Sequence, residues 1–447
     1  MRRILSIAIL TFRENVRSKL VLALAVVVAL IVGGMPLLLK GDGTPAGAAR
    51  MTLLYPLGAA FAFLALAAPW TAAAALASDV KGRTLQLVRV KPVRMWQLWL
   101  GKWLGLLFLN ALLLAAAFAG VYARLAATGA LTADDIRLAK RNVRPVLPPL
   151  EKQIAEMEAN VAASYPQGLS PQERRDLRAT LRRQLPYATA SLRSRDTWRW
   201  VFAPPRVPVE GETVWLRLGL HSDPLAPEQP VARVLLDSKD AILPAIAPHD
   251  IYNFASRHQE FALAAPDASV SRRLELDITN LGATNAPPLL VQPRQGLVLL
   301  VRAGRLEANM ARAYAILLSL LALLLALGLA SGAFFTLPVA VFATTCLIVS
   351  VLASAYAVSD PDILDPDSFA SLPAPQRLQF RLSAAVTQSL AALSAPALSP
   401  APLAQLSESE WIPPEDLLRA LAGNGLALPL LLALLSSLHL ARKELPE

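Results

Sequence analysis

Six long apolar stretches constrain the fold more than any other feature of this sequence. They lie at about 20–39, 55–77, 103–125, 313–333, 335–358 and 421–441. Each is close to the roughly 20 residues that a helix needs to cross the hydrocarbon core of a bilayer, and none contains Asp, Glu or Lys. The chain of 447 residues is 55% hydrophobic and only 17% charged. This composition indicates an integral membrane protein rather than a soluble one.

Basic residues are concentrated beside some of these apolar stretches. Their positions predict on which side of the membrane the flanking segments lie. Residues 1–19 carry five Lys/Arg and one Glu, and residues 78–102 carry six Lys/Arg and one Asp, giving net charges of +4 and +5 in a chain of +10. Such clusters mark the cytoplasmic side. We therefore expect a multi-pass protein of the cell (inner, cytoplasmic) membrane with both termini in the cytoplasm. Charge in this position favours the lipid bilayer as a partner and argues against nucleic acid.

Residues 1–19 are predicted to form an amphipathic helix in the cytoplasmic interface. Leu5, Ala8, Ile9, Phe12 and Val16 follow the spacing of one helical face. A signal peptide is the alternative interpretation. However, the run "RENVRSK" interrupts the apolar start, and the apolar stretch that follows is longer than the roughly 7–15 apolar residues at the centre of a cleaved signal peptide.

The long segment between the third and fourth stretches is expected outside the cytoplasm, as an α+β insert. Within residues 127–195, Ser170, Pro171 and Glu173 have the spacing of a helix start with a capping box. Together with the preceding "LEKQIAEMEANVAA" they predict a helical hairpin. Residues 196–308 contain short alternating stretches such as "TVWLRLGLH" between turn residues, a pattern typical of a β-sandwich.

The expected fold class is therefore a mostly α membrane protein with six transmembrane helices, an N-terminal interfacial helix and an extracytoplasmic insert between spans 3 and 4. Spans 1–3 are assigned to residues 20–126, spans 4 and 5 to 309–358, and span 6 with a cytoplasmic tail to 421–447. Residues 359–420 are rich in Pro, Ser and Ala. We predict that they form an extracytoplasmic loop with one or two short helices.

The sequence offers little for catalysis. It contains no G-x-x-x-x-G-K-[ST] phosphate loop, so we expect no enzymatic activity and no cofactor bound by this chain. The four histidines have no metal-ligand spacing. Four aspartates could supply oxygen ligands for calcium, but Asp-Pro steps also form turns and no calcium loop follows. They are Asp360, Asp362, Asp365 and Asp367.

Three tryptophans in the segment with strand-like alternation leave two interpretations open. They are Trp198, Trp200 and Trp215. Aromatic side chains on strands can stack on sugar rings, or they can belong to a core or an interface. The second use is the commoner one, and we favour it here.

The basic patch at residues 78–105 also contains residues that typically begin and end a short helix. Gly82 ends the incoming helix, Thr84 can cap a new one, and Pro92 stops it within about two turns. In the resulting amphipathic segment, Leu87 and its apolar neighbours can contact another surface, with basic residues around them. The alternative is a loop that only marks the cytoplasmic side. Such a loop would need the basic residues but not the residues that begin and end a helix. Beyond the segment, an aromatic belt at the membrane entry is predicted from Trp96, Trp99 and Trp103.

The same segment resembles the permease components of type-2 ATP-binding-cassette exporters, especially the branch linked to multicopper-enzyme maturation. Members carry an acidic residue, a Gly-Thr or Arg-Thr step, a Leu-rich turn, Pro-Val-Ser-Arg, and Gly-Lys-x-Leu-Gly at the third span. This chain has Asp79, Gly82-Arg83-Thr84, "LQLVRV", Pro92-Val93-Arg94 and Gly101-Lys102-Trp103-Leu104-Gly105. It lacks the Ser before the Arg and has Asp where Glu is usual. The likeness covers the N-terminal 125 residues and spans 4–6, and the insert much less.

The resemblance implies a permease whose ATP is bound by a partner. The implied partners are a separately encoded ABC ATPase subunit and a second permease copy, in a homodimer or in a heterodimer with a related permease. Residues 82–94 would be the coupling helix on which the ATPase docks. The docking and coupling residues would be Asp79, Gly82, Arg83, Thr84, Leu87, Arg89, Lys91, Pro92 and Arg94. The membrane-entry residues would be Trp96, Trp99, Gly101, Lys102 and Gly105.

The function that this resemblance implies is the coupling of ATP hydrolysis in the partner to export or to conformational work outside the cytoplasm. Two alternatives stay open. One is a mechanotransmission complex through which no substrate passes, and the large insert favours it. The other is a membrane-anchored binding or scaffold protein.

Overall fold

The computed structural model describes residues 2–38, 45–81, 94–132, 134–147, 150–164, 170–185, 190–206, 208–209, 212–221, 231–236, 239–244, 259–264, 273–282, 288–291, 296–359, 373–398 and 402–442. The chain divides into two compact units. The helical unit comprises Met1–Ala139 and Gly304–Glu447, and the insert unit comprises Lys140–Ala303.

Helices make up most of the described residues. In chain order they are α1 (Arg2–Val16), α2 (Lys19–Leu38), α3 (Pro45–Lys81), α4 (Met95–Ala127), α5 (Asp134–Arg137), α6 (Leu150–Ala163), α7 (Pro171–Gln184), α8 (Leu306–Phe334), α9 (Leu337–Ser359), α10 (Ala374–Leu398), α11 (Pro402–Ser407), α12 (Pro414–Ala420) and α13 (Leu428–Arg442). A 3-10 turn at Ala130–Thr132 precedes α5, and a π-helical stretch at Leu421–Ala427 joins α12 to α13.

Six helices of the described chain are long and apolar enough to cross a membrane. They are Lys19–Leu38, Gly47–Ala77, Met95–Ala127, Leu306–Phe334, Leu337–Val358 and Pro414–Leu440. They coincide with the six predicted apolar stretches, so this prediction is confirmed, and the chain has the make-up of a multi-pass membrane protein. The last of the six combines α12, the π-helical stretch and α13. Some begin before the predicted apolar stretch because the helix includes polar residues such as Arg50.

The helical unit is built around α8. Its apolar window has the largest buried share of the six, and it packs along α3, α4 and α13. Glycines allow the closest approach to α3. A Cβ added at Gly332 would lie 2.7 Å from the main-chain oxygen of Ala73, and one at Gly328 would overlap the main chain of Pro69. Small residues four apart thus bring the two backbones together.

The remaining regular structure is a set of short strands in three sheets. The strands are β1 (Leu138–Val143), β2 (Ala190–Leu192), β3 (Thr197–Phe202), β4 (Thr213–Leu218), β5 (Leu220–His221), β6 (Val231–Leu236), β7 (Lys239–Pro244), β8 (Gln259–Ala264), β9 (Leu274–Asn280), β10 (Leu289–Val291) and β11 (Leu297–Arg305). The sheets have the orders β1-β11-β4-β8, β2-β10-β5 and β3-β9-β6-β7. The pairs whose register is described are antiparallel.

Apolar side chains from all three sheets share one core. Leu192, Leu216 and Leu276, one from each sheet, are fully buried in it. Burial alternates along β9, with Leu274, Leu276 and Ile278 inside and the two residues between them more exposed. This alternation is the one that the sequence predicts for strands with one face toward a core.

The helices α6 and α7 pack against each other and are joined by two ion pairs. Arg182, near the end of α7, bonds Glu151 at the start of α6 at 3.0 Å. Arg178, one turn earlier in α7, bonds Glu158 further along α6. This order of the partners means that the two helices run antiparallel.

The predicted capping box is present at the start of α7. Glu173 N–H donates to Ser170 Oγ, and Ser170 N–H donates to Glu173 Oε2 at 2.7 Å. Hydrogen bonding to the Glu173 carboxyl from the side chain and the backbone N–H of Ser170 lowers the pKa of that carboxyl, because these bonds favour its charged form.

Residues 359–420 differ most from expectation. The described part contains the two short helices α11 and α12, as predicted, but also α10, which runs for 25 residues and was not predicted. Several prolines that suggested irregular chain instead lie at helix starts: Pro375 in the first turn of α10, Pro402 in α11 and Pro414 in α12. A helix tolerates proline there because its missing N–H has no intrahelical partner. The four clustered aspartates lie outside the described residues.

Candidate functional site

Most of the predicted coupling residues fall in residues 82–93, which lie outside the described residues. They are Gly82, Arg83, Thr84, Leu87, Arg89, Lys91 and Pro92. Asp79 belongs to the last turns of α3, and Arg94 immediately precedes α4. Trp96, Trp99, Gly101, Lys102 and Gly105 all lie in the first three turns of α4. The described candidate site is therefore the helical frame on both sides of residues 82–93.

The start of α4 is fixed by local hydrogen bonds. The Arg94 N–H donates to Gln97 Oε1 at 3.3 Å, and the Gln97 N–H donates to the Arg94 carbonyl at 2.9 Å. Arg94 itself has an extended backbone, as expected of a residue just outside a helix. The chain therefore enters α4 at a defined residue.

Lys102 joins α4 to α3. Its side chain was expected at the membrane entry, yet only 6% of Lys102 is exposed. Its Nζ donates to the main-chain oxygen of Ala75 at 2.8 Å. A buried ammonium group needs such acceptors because losing water costs far more without them. The Lys102 ammonium group thus lies inside the helical bundle. It connects α3, which leads into residues 82–93, with α4, which follows them.

Gly101 and Gly105 bring α4 against α1. A Cβ added at Gly101 would lie 2.6 Å from Ile7 Cγ2, and one at Gly105 would lie 2.6 Å from the Ala8 carbonyl oxygen. The rings of Phe12 and Phe108 meet edge to face at 5.2 Å. Sequence reasoning treated α1 as a separate interfacial helix and missed this contact. The small-residue spacing in α4 was the signal that could have suggested it.

The remaining surface of α1 keeps the amphipathic character that the sequence predicts. Leu5, Ile9 and Val16 are exposed on one side of the helix. Arg2, Arg13 and Arg17 are also exposed. The helix therefore offers an apolar edge and a basic edge together, as helices that lie in a membrane interface do.

The predicted aromatic belt is only partly correct. Trp96 is 41% exposed, but Trp99 is 1% exposed and Trp103 is 7% exposed. The rings of Trp99 and Trp103 stack at 6.3 Å, and Trp103 Nε1 donates to the Ala322 carbonyl of α8 at 2.9 Å. These two tryptophans pack inside the bundle because the face of α4 that carries them also faces α8. They tie the start of α4 to the central helix.

The tryptophans of the strands belong to the core, in line with the interpretation favoured above. Trp198 and Trp200 pack against the shared core of the sheets. Trp215 is buried, and the Lys140 ammonium lies 4.3 Å from its ring centroid while bonding Glu260 at 3.1 Å. Among the described residues, no group of three or more His, Cys, Asp or Glu could hold a metal ion.

Together, these contacts form a frame of packed helices beside residues 82–93. Three helices, α1, α3 and α4, are joined next to residues 82–93, and α4 is joined to α8. Comparison with protein-family models, curated proteins and solved structures finds no match for this chain. The functional conclusion therefore rests on the chain's own residues.

Proposed function

We propose that this chain is the permease subunit of an ATP-binding-cassette transporter. It would couple ATP hydrolysis in a separate ATPase subunit to export or to conformational work outside the cytoplasm. ATP would bind to that partner, and a second permease copy, identical or related, would complete the complex. The six helices able to cross a membrane and the motif residues from Asp79 to Gly105 support this proposal.

The frame around residues 82–93 is the observation that carries the proposal. The helices that enter and leave this segment, α3 and α4, are joined by the hydrogen bond between Lys102 and Ala75. Close packing at Gly101 and Gly105 adds α1 to the same frame. Docking of a partner on residues 82–94 would therefore displace several helices together. Coupling requires such a connection, whereas a loop that only sets topology does not.

The proposed topology places residues 1–19 and 78–102 in the cytoplasm and the insert outside, as a helical hairpin followed by a β-sandwich. The basic residues of these two segments support the orientation. The exposed Leu5, Ile9 and Val16 support a position for α1 in the membrane interface. Both termini would be cytoplasmic, and the membrane would be the inner, cytoplasmic one.

Mechanotransmission without substrate passage is the second candidate. One connection in the chain favours it: β11 ends at Arg305 and α8 begins at Leu306, so no loop separates a strand from the most buried of the six helices. A shift or rotation of α8 would act directly on that strand. In this candidate the ATPase would drive the insert, and no cargo would cross the membrane.

Purification of the tagged full chain from its native membranes tests the proposal. We expect an ATPase subunit with a phosphate loop to co-purify and to be identified by mass spectrometry, and the complex to hydrolyse ATP. A variant with Arg83, Arg89 and Lys91 changed to Gln serves as the matched control for charge. A chain that co-purifies with no such subunit under mild solubilisation would favour the scaffold alternative.

A further inference from the structure

The helix α7 of the insert unit carries most of its arginines on one side. Its 14 residues include five arginines and two acidic residues. Four of the arginines, here called the arginine face, are Arg174, Arg175, Arg178 and Arg182. Because a helix turns by about 100° and rises by about 1.5 Å per residue, these four share about 100° of its circumference over about 12 Å. All four are exposed.

The helix α6 supplies carboxylates to one half of the arginine face. Arg182 Nη2 donates to both carboxylate oxygens of Glu151, at 3.0 and 3.3 Å. Arg178 Nε donates to Glu158, seven residues further along α6. The side chains of Arg178 and Arg182 nevertheless stay 59% and 60% exposed. This half therefore bonds carboxylates on an adjacent helix through charge-assisted hydrogen bonds, and it stays open to solvent.

The other half of the arginine face lies beyond the reach of these carboxylates. Arg174 and Arg175 make no ion pair with the described part of the chain. The antiparallel α6 ends at Ala163, and its last three residues, 161–163, are Val and Ala. Cations near the start of a helix are disfavoured by the helix dipole. An anion from outside the hairpin would therefore stabilise this end of α7.

The surroundings of the arginine face indicate which kind of anion fits. The face lies on the convex surface of a helix, whereas sites for small ligands are concave. Helices that bind a membrane surface place an apolar stripe beside their basic residues. Among the described residues of α6 and α7, however, Met157 is the only large apolar side chain that is exposed. A protein segment with exposed carboxylates fits best, because it would repeat the bonds that α6 makes.

We propose that the arginine face of α7 is a docking site for an acidic segment of a partner protein, whose carboxylates bond Arg174 and Arg175 beyond the end of α6. The partner would be extracytoplasmic because the insert is proposed to be, and only this location rests on the proposed function. Docking requires neither ATP nor the ATPase subunit. Exposed ion pairs are individually weak, so the affinity depends on several pairs together and falls with salt.

The test uses the full chain in nanodiscs of zwitterionic lipid. The probe is a fluorescent, alanine-based helical peptide with glutamates seven residues apart, and a peptide with Gln in place of Glu is its control. Binding is followed by anisotropy at about 0.1 M salt and again at about 1 M, where the screening length falls from about 10 Å to about 3 Å. One variant combines Arg174→Gln with Arg175→Gln. The matched control combines Arg144→Gln with Arg302→Gln, at exposed positions of the insert unit outside α7.

We expect the parent chain to bind the glutamate peptide but not the glutamine peptide, and to lose the former at about 1 M salt. The α7 variant should bind about tenfold more weakly, since two exposed ion pairs are lost, and the control variant should bind like the parent. All chains should elute as one species with the same circular dichroism. Equal losses in the two variants, or no binding of the glutamate peptide by the parent, would overturn the proposal. So would capture of phosphatidylglycerol vesicles through Arg174 and Arg175 without peptide binding, because a lipid surface would then be the occupant.

Discussion

Lys102 Nζ lies 2.8 Å from the main-chain oxygen of Ala75, and this hydrogen bond joins the helices on the two sides of residues 82–93. A charged group so deeply buried is retained in a membrane protein at a cost in desolvation. In the proposed permease we expect its role to be mechanical, since it ties α3 to α4 next to residues 82–93.

Replacing Lys102 tests this connection. Lys102→Met keeps the length of the side chain and removes the donor. We expect amide hydrogen exchange in residues 75–81 to rise about tenfold or more, because a hydrogen bond to a charged group contributes about 1.5–3 kcal/mol. Lys19→Met, which removes a cation from an exposed position, is the control and should leave these amides unchanged. Unaltered exchange in Lys102→Met would show that the bond does not hold α3.

Much of the helical unit follows from the sequence, and the reason is physical. A span must satisfy its backbone internally and face lipid, so length and hydropathy alone identify it. The burial of Lys102 and of Trp99 could not be predicted in this way. Side chains of these types near a span end usually reach for the interface, and only the packing of α3, α4 and α8 decides otherwise. The pairing of the strands depends on contacts between residues far apart in the sequence, which local alternation does not specify.

Gly105 tests the packing of α1. Gly105→Ala would place a Cβ against the Ala8 carbonyl, which is backbone and cannot rotate away. Overpacking of this kind costs about 1–3 kcal/mol, so we expect a lower unfolding midpoint and faster proteolysis of α1. Gly33→Ala in α2 is the matched control, because a Cβ there meets nothing within 4 Å. It should be neutral or slightly stabilising, since Ala favours helix over Gly. Equal effects of the two changes would contradict the close crossing.

Substitution of Asn309 tests whether its hydrogen bonds fix the segment that follows α11. Its buried amide bonds two main-chain groups, donating to the Glu410 carbonyl at 2.7 Å and accepting from the Ile412 N–H at 2.9 Å. Asn309→Ala removes both hydrogen bonds, and a buried group that loses its hydrogen-bond partner costs about 1–3 kcal/mol. We expect a lower unfolding midpoint together with new protease cleavage within residues 402–413. The exposed Asn160→Ala should change neither, and a silent Asn309→Ala would rule out this role.

Glu173 makes the stability of the start of α7 depend on pH. Because its pKa is lowered in the folded chain from an ordinary value of 4.5, its contribution to the start of α7 is present above that value. The contribution is lost as the pH falls through the lowered pKa. We expect the first-turn amides of α7 to lose relative protection in this acidic range. Ser170→Ala should remove most of that pH dependence, and Ser164→Ala should not. Identical profiles in the three chains would contradict it.

The most direct test of the proposed coupling function compares two changes within residues 82–94 of the tagged full chain. Leu87→Pro would break the proposed coupling helix at a cost of about 3 kcal/mol, more than a hundredfold in an equilibrium constant. Lys91→Ala removes one charge, and exposed ion pairs contribute only about 0.2–1 kcal/mol. We measure the ATPase subunit recovered with each chain and the ATP hydrolysis of the complex. The account predicts that Leu87→Pro inserts in the membrane but loses the subunit and its coupled hydrolysis, while Lys91→Ala retains most of both. A Leu87→Pro chain that binds and couples like the parent would contradict the account and leave residues 82–94 as a topology signal alone.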